Sequence, residues 1–161
     1  MIRLVGVLCL AAFVLAACGG GSTLSRTTPA PGGGSTSAPG RASIQFSGTV
    51  SGDLSSQGIS CQPAGSANLI VSISGTVGSA QYTIDIGAGR PGTYELSGRG
   101  DATVGMTETR PSFRQWAVGF QQASGSGSLA IEQQSGQVNA ELTGVQGAPG
   151  TVRVQGSWTC P

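Results

Sequence analysis

The stretch "AQYTIDIGAGRPGTYELSG", residues 80–98, contains the pattern that decides the fold. Apolar and polar residues alternate on both sides of a centre rich in glycine and proline. The apolar members of the alternation are Tyr82, Ile84 and Ile86 before the centre and Tyr94 and Leu96 after it. Because successive side chains of a β-strand point to opposite faces, this two-residue period predicts strands that each have one apolar face.

The same stretch predicts a hairpin of two strands, Ala80–Ile86 and Tyr94–Gly98. The register that keeps the apolar side chains on one face sets Asp85 opposite Glu95 on the polar face. Opposed like charges are mildly unfavourable unless something neutralises them. We expect a neighbouring arginine to do so, and no metal or other cofactor. A hard cation such as Ca²⁺ is the alternative, with Asp85 and Glu95 as its candidate ligands.

The alternation recurs along the chain, and no segment has the 3.6-residue period of an amphipathic helix. Segments rich in Gly, Ser and Pro separate the apolar series and predict turns. We therefore predict an all-β domain over residues 43–161, an antiparallel sandwich or barrel of about eight or nine short strands with one core. The remaining apolar series are Ile44/Phe46/Val50, Leu69/Val71/Ile73, Ala102/Val104/Met106, Trp116/Val118/Phe120, Leu129/Ile131, Val138/Ala140/Leu142 and Val152/Val154/Trp158.

The N-terminal segment has the features of an export signal. Arg3 precedes an apolar run from Leu4 to Val14, which is shorter than the roughly 20 residues that span a membrane. The residues that follow, "LAAC" at positions 15–18, resemble the lipobox of bacterial lipoproteins. The resemblance implies that residues 1–17 are a signal peptide and that Cys18 carries acyl chains such as palmitate. An ordinary secretory signal that contains a cysteine is the alternative.

Residues 18–42 predict a tether between this lipid and the domain. They consist almost wholly of Gly, Ser, Thr, Ala and Pro, and so have too little apolar surface to offset the entropy of ordering. The predicted layout is a lipid anchor on Cys18, a disordered tether and a folded domain. It places the domain on the extracytoplasmic side of the cell membrane or the outer membrane.

The four cysteines predict one disulfide. Cys9 leaves with the signal peptide and Cys18 takes the lipid, so Cys61 and Cys160 remain in the exported domain. Two thiols in an oxidising compartment most simply pair with each other. A metal site lacks support because the chain has no histidine to complete it.

The domain also resembles small lipoprotein antigens of mycobacteria and other actinobacteria. The matching features are "GISCQ" at residues 58–62, near the start of the domain, and "VRVQGSWTC" at residues 152–160, a strand that ends in cysteine. The resemblance implies a β-rich envelope protein of the adhesin or antigen type rather than an enzyme.

Charge and composition narrow the function. Residues 43–161 contain five arginines, no lysine and seven acidic residues, a net charge of −2, so no basic surface is expected for a nucleic acid. Without histidine or lysine, a serine nucleophile lacks its usual general base. We therefore expect a non-catalytic binding or structural domain at the cell envelope, with an unknown envelope protein or glycan as partner. The alternative is a carbohydrate-interacting module or a carboxylate-dependent hydrolase of cell-wall glycans.

Overall fold

The computed structural model describes residues 39–55, 58–62, 69–120 and 123–161, and none of them is helical. The regular structure consists of antiparallel strands. In chain order the strands are β1 (Arg41–Gly48), β2 (Gly52–Ser55), β3 (Ile59–Cys61), β4 (Leu69–Val77), β5 (Ala80–Ala88), β6 (Gly92–Ser97), β7 (Ala102–Arg110), β8 (Arg114–Val118), β9 (Ser126–Ile131), β10 (Ser135–Val145) and β11 (Thr151–Thr159).

The strands form one curled sheet, a half-barrel, in the order β2-β1-β11-β10-β8-β7-β5-β4-β3. The sheet branches at β10, which pairs with β11 along one edge. On its other edge, residues 136–141 pair with β9, and residues 143–145 pair with β8. Strand β6 then adds to the free edge of β9. The branch lets two arms of the sheet curve around the same interior.

The core is one apolar cluster on the inner face of this sheet. Alternation along each strand directs one set of side chains inward and leaves the polar set outside, as the sequence pattern predicts. Trp116 has no exposed surface, and Trp158 is also buried. Among the described residues, Glu108 is the one buried charged side chain. The inner surface is therefore filled by the protein's own side chains.

A disulfide between Cys61 and Cys160 closes the curled sheet, as predicted. Cys61 ends β3, which is the last strand of the sheet order, and Cys160 directly follows β11 near the other end of that order. The two Cα atoms are 5.9 Å apart across 99 residues of sequence. The covalent bond thus joins the two ends of the half-barrel.

The predicted fold class is confirmed, with eleven strands rather than eight or nine. The additional strands, β2 and β3, have four and three residues, too few for an alternating pattern to stand out. The first strand begins at Arg41, two residues before the predicted start of the domain. Ala42 is buried and is paired with Trp158 of β11, which explains the earlier start.

The predicted hairpin between Ala80–Ile86 and Tyr94–Gly98 is wrong. Strand β5 pairs with β4 through a two-residue turn and with β7 on its other edge. Strand β6 instead pairs with β9 in the other arm of the sheet. Consequently, Asp85 lies opposite Ser72 and Gly105, and Glu95 lies opposite Ser128. The two-residue period determines which face of a strand is buried, but it does not determine which strand lies beside it.

An ion pair between the buried Glu108 and the half-buried Arg114 joins β7 to β8. Glu108 is 1% exposed; its Oε2 accepts a hydrogen bond from Nε of Arg114 at 2.5 Å and lies 2.5 Å from Nη2 of the same guanidinium. The two residues are direct neighbours across the strand pair. The Arg114 guanidinium also lies 5.4 Å from the ring centroid of Trp116. Both charges are therefore satisfied within the domain, where they fix the register of β7 and β8.

Removing the disulfide tests the closure of the half-barrel. The double variant Cys61→Ala/Cys160→Ala should lose about 4–5 kcal/mol of unfolding free energy, because the bond closes a loop of 99 residues in the unfolded chain. Urea denaturation followed by tryptophan fluorescence measures the loss. Ser60→Ala, an exposed change next to Cys61, is the control and should leave the midpoint in place. An unchanged midpoint in the double variant would contradict the closure.

Removing Arg114 alone from the ion pair with Glu108 should lower the unfolding free energy more than removing both residues. Arg114→Met leaves the Glu108 carboxylate buried without a partner and should lower the unfolding free energy by about 3 kcal/mol. Glu108→Met/Arg114→Met should recover most of that loss. Arg99→Met removes an exposed arginine and serves as the control. A single variant as stable as the parent in the same urea titration would refute a structural role for the pair.

Candidate functional site

Two grooves lie on the outer, polar face of the sheet. The first, which we call the serine groove, has a volume of about 680 Å³ and crosses β6, β9, β10 and β11. The second, which we call the Phe120 groove, has a volume of about 530 Å³ and lies over β7 and β8. Both volumes fall in the range of about 300–1,000 Å³ that is typical of small-molecule sites. The serine groove is lined by Glu95, Leu96, Ser97, Ser126, Gly127, Ser128, Asn139, Glu141 and Arg153.

The floor of the serine groove is flat because β9 presents only small residues there. Gly127 has a φ of 152° and lies so close to β10 that a Cβ atom would be 2.4 Å from the carbonyl oxygen of Asn139. Only glycine allows this approach. Ser126 and Ser128 on either side of it expose their hydroxyl groups to solvent. The result is a shallow polar surface rather than a closed pocket.

Two carboxylates and one guanidinium surround this floor. Glu95 on β6 is aligned with Ser128 and Asn139, whereas Glu141 lies two residues further along β10. With strands about 4.8 Å apart and about 6.8 Å between alternate residues, the Cα atoms of Glu95 and Glu141 are separated by roughly 12 Å. Arg153 lies opposite Glu141 and donates a hydrogen bond from Nη2 to Oδ1 of Asn139, at 3.1 Å. The groove presents charges of both signs to solvent.

The Phe120 groove combines an exposed aromatic ring with polar side chains. Its floor is formed by Gly105 and Ala117, which are direct neighbours across β7 and β8. The ring of Phe120 stands beside this floor and is 51% exposed. A Cβ atom placed on Gly105 would be 3.8 Å from Cε2 of that ring. The other lining residues are Asp85, Met106, Thr107, Gln115, Trp116, Val145 and Gln146.

The exposure of Phe120 differs from the sequence prediction, which placed it in step with Trp116 and Val118. Strand β8 ends at Val118, and Gly119 follows with a φ of 83°. A Cβ atom on Gly119 would lie 2.3 Å from the carbonyl oxygen of Ala102, so the chain can turn there only with glycine. This turn carries Phe120 out of the alternation and onto the outer face.

The candidate metal ligands Asp85 and Glu95 do not come together. Asp85 lines the Phe120 groove, and its Oδ1 accepts a hydrogen bond from the hydroxyl of Ser72. Glu95 lines the serine groove, on the other arm of the sheet. No group of three or more acidic or cysteine side chains that could hold a metal ion occurs in the described parts of the chain. The predicted cation site required Asp85 and Glu95 to lie opposite each other on paired strands, and they do not.

Tyr82 and Glu108 form the buried titratable region of the domain, and they lie opposite each other on β5 and β7. Burial raises the pKa of Tyr82 above 10, and the nearby Glu108 carboxylate raises it further, while Arg114 opposes the shift. These groups pack against the core, with the Tyr82 ring 4.9 Å from that of Phe46. We therefore assign Tyr82 and Glu108 a role in the stability of the domain. Glu108 falls in step with Val104 and Met106, so the sequence contains the signal for a buried charge.

The predicted signal peptide, the lipidation residue Cys18 and all but the last residues of the predicted tether lie outside the described residues. Within residues 39–55, 58–62, 69–120 and 123–161, no helix is long and apolar enough to cross a membrane. The N-terminal predictions thus stand on the sequence alone.

No known protein family matches this chain, and neither a curated protein nor a solved structure resembles it closely enough to count as a match. The functional inference therefore rests on the chain's own residues: the two outer-face grooves and the N-terminal motif.

Proposed function

We propose that this protein is a lipid-anchored protein of the bacterial cell envelope whose β-domain binds a partner without catalysis. The anchor is a lipid on Cys18, and residues 18–40 connect it to β1. The order of Arg3, an apolar run of limited length and "LAAC" at residues 15–18 supports the anchor. The disulfide between Cys61 and Cys160 agrees with an oxidising compartment outside the cytoplasm.

One observation carries the binding role: the serine groove and the Phe120 groove both lie on the outer face, while the inner face of the sheet is filled by the core. Apart from Phe120 and Gln146, the residues that line the two grooves lie on paired strands of a disulfide-closed sheet, which restricts the movement of their backbone. Such preorganisation lowers the entropic cost of binding. A domain built in this way suits recognition at an open surface.

The chemistry of the grooves supports a non-catalytic role. The whole chain contains neither histidine nor lysine, so the serine hydroxyls of the serine groove have no neighbouring imidazole or amine to act as a base. The carboxylate of the Phe120 groove, Asp85, is engaged by Ser72. The other groups in the two grooves are hydrogen-bond donors and acceptors, the charged side chains of Glu95, Glu141 and Arg153, and one exposed ring.

Replacing the predicted lipidation site tests the anchor. Cys18→Ala removes the thiol that would be acylated, so the protein should move from the membrane fraction to the soluble or secreted fraction of the bacterial culture. Fractionation followed by immunoblotting measures the distribution. Cys9→Ala, a cysteine-to-alanine change within the predicted signal peptide, is the matched control and should stay in the membrane fraction. Mature-size Cys18→Ala protein that is still extracted only by detergent would contradict the proposal.

A carboxylate-dependent glycan hydrolase is the second candidate, because Glu95 and Glu141 border the same groove. An inverting mechanism places the two carboxyl groups about 6.5–9.5 Å apart, a spacing that side-chain rotation about a Cα separation of roughly 12 Å allows. The protein would then cleave a glycosidic bond by water attack, with one carboxyl as acid and the other as base.

The two candidates differ in whether the protein releases reducing sugar ends from purified bacterial cell walls. On the binding proposal, the parent protein releases none above a heat-treated control. Release that is lost in both Glu95→Gln and Glu141→Gln, but retained in Asp101→Asn at an exposed connection, would establish the hydrolase and overturn the non-catalytic role.

A further inference from the structure

We propose that the Phe120 groove binds a neutral sugar unit of an envelope glycan, with the ring of Phe120 as its stacking surface. This inference rests on the proposed binding role and adds the chemical class of the ligand. It concerns the groove over β7 and β8, and it leaves the serine groove without an assigned ligand.

The shape of the groove suits a flat ring. Gly105 and Ala117 keep the floor low, and Phe120 stands at its side with half of its surface exposed. The C–H face of a pyranose is apolar, and an exposed aromatic ring is the side chain that covers such a face best. A sugar lying on this floor would remove apolar surface of both partners from water.

The polar side chains of the groove match the hydroxyl groups of a sugar. Gln115 donates one amide N–H to the hydroxyl of Thr107 at 3.3 Å, which orients its side chain toward the groove. An amide offers two donor hydrogens and an acceptor oxygen, so Gln115 and Gln146 can each contact a hydroxyl group as donor or acceptor. Such groups fix the orientation of a ligand whose apolar face is already covered.

The backbone of Gln146 provides a separate observation. Its φ is 52°, in the left-handed region, and it is the one residue other than glycine with such a φ in the described parts of the chain. Residues other than glycine, asparagine and aspartate rarely adopt this conformation. A glycine at this position of the β10–β11 connection would fit without strain. The hydrogen bond from the Ala148 N–H to the Val145 carbonyl, 3.1 Å long, closes a turn in which both Gln146 and Gly147 have a positive φ. The glutamine keeps an amide side chain at the rim of the groove, which glycine, the residue preferred in such a turn, would not supply.

Other ligand classes fit the groove less well. Asp85 is the one charged residue of the lining, so the groove offers no cationic group to an anion and only one carboxylate to a metal ion, which needs several oxygen ligands. Both edges of β7 and of β8 are occupied by neighbouring strands, so a peptide cannot add as a further strand. An acyl chain would need an enclosed apolar cavity, whereas this groove is open and half-rimmed by amides and hydroxyls. A neutral, hydroxyl-rich ring satisfies all three constraints.

Electrophoresis in native gels that contain a neutral polysaccharide tests the proposal. The full-length Cys18→Ala chain is used, so that binding is measured independently of the lipid. A mannan, an α-glucan and a galactan serve as probes. At least one of them should retard the parent chain, and Phe120→Ala should weaken the retardation by roughly tenfold in apparent Kd. Phe113→Ala, which removes an aromatic ring 64% exposed at the other end of β8, should bind like the parent.

Gln146→Gly separates a binding role from a structural one. It removes the strain of a positive φ, so its thermal midpoint should equal or exceed that of the parent, while its retardation should fall by about fivefold or more. No retardation by any of the three polysaccharides, or equal retardation of Phe120→Ala, would overturn the sugar site. That result would leave the anchored binding domain in place, because membrane fractionation of the protein with Cys18 intact tests the anchor separately. Binding to sugar-free phospholipid vesicles instead of polysaccharide would also overturn it.

Discussion

The structure depends on one constraint: each strand has an apolar face, and the described part of the chain offers no helix to cover it. A sheet in this situation must bury its apolar face against itself. Strand β10 makes this geometrically possible, because it pairs with β9 along one part and with β8 along another. The two arms that leave β10 enclose a single core, and the Cys61–Cys160 bond holds the ends of the curled sheet together.

Because the inner face of the sheet is filled by the core, a ligand can bind only at the outer face. The interior contains the two tryptophans and most of the large aliphatic side chains, packed without unsatisfied buried polar side-chain atoms among the described residues. The residues that can meet a ligand are therefore small, polar or at strand ends. Glycine and serine on the outside keep the surface flat, and Phe120 rises from it because Gly119 turns the chain at the end of β8. The distinctive surface feature is thus a product of a turn rather than of the strand pattern.

The sequence predicts well which face of each strand is buried, but it predicts poorly which strands pair with each other. Alternation identified nearly all the residues of the core, and the position of Cys61 and Cys160 identified the disulfide. The hairpin of β5 and β6 failed because an alternating strand fits any partner with the same period, and the connection after Ala88 crosses to the other arm of the sheet. The grooves could not be predicted, since each combines residues from strands far apart in sequence. The burial of Glu108 could have been predicted, because Glu108 continues the alternation of Val104 and Met106.

The pairing of β1 with β11 distinguishes the two ends of the domain. Arg41, where the chain enters the sheet, lies opposite Thr159, beside the disulfide and at the same end as the start of β10. Gln146 follows the other end of β10, so about ten residues of extended strand, roughly 34 Å, separate the point of entry from the rim of the Phe120 groove. The chain therefore enters the domain at its disulfide end, whereas the Phe120 groove lies at the opposite end, so a contact made at the point of entry leaves the groove uncovered.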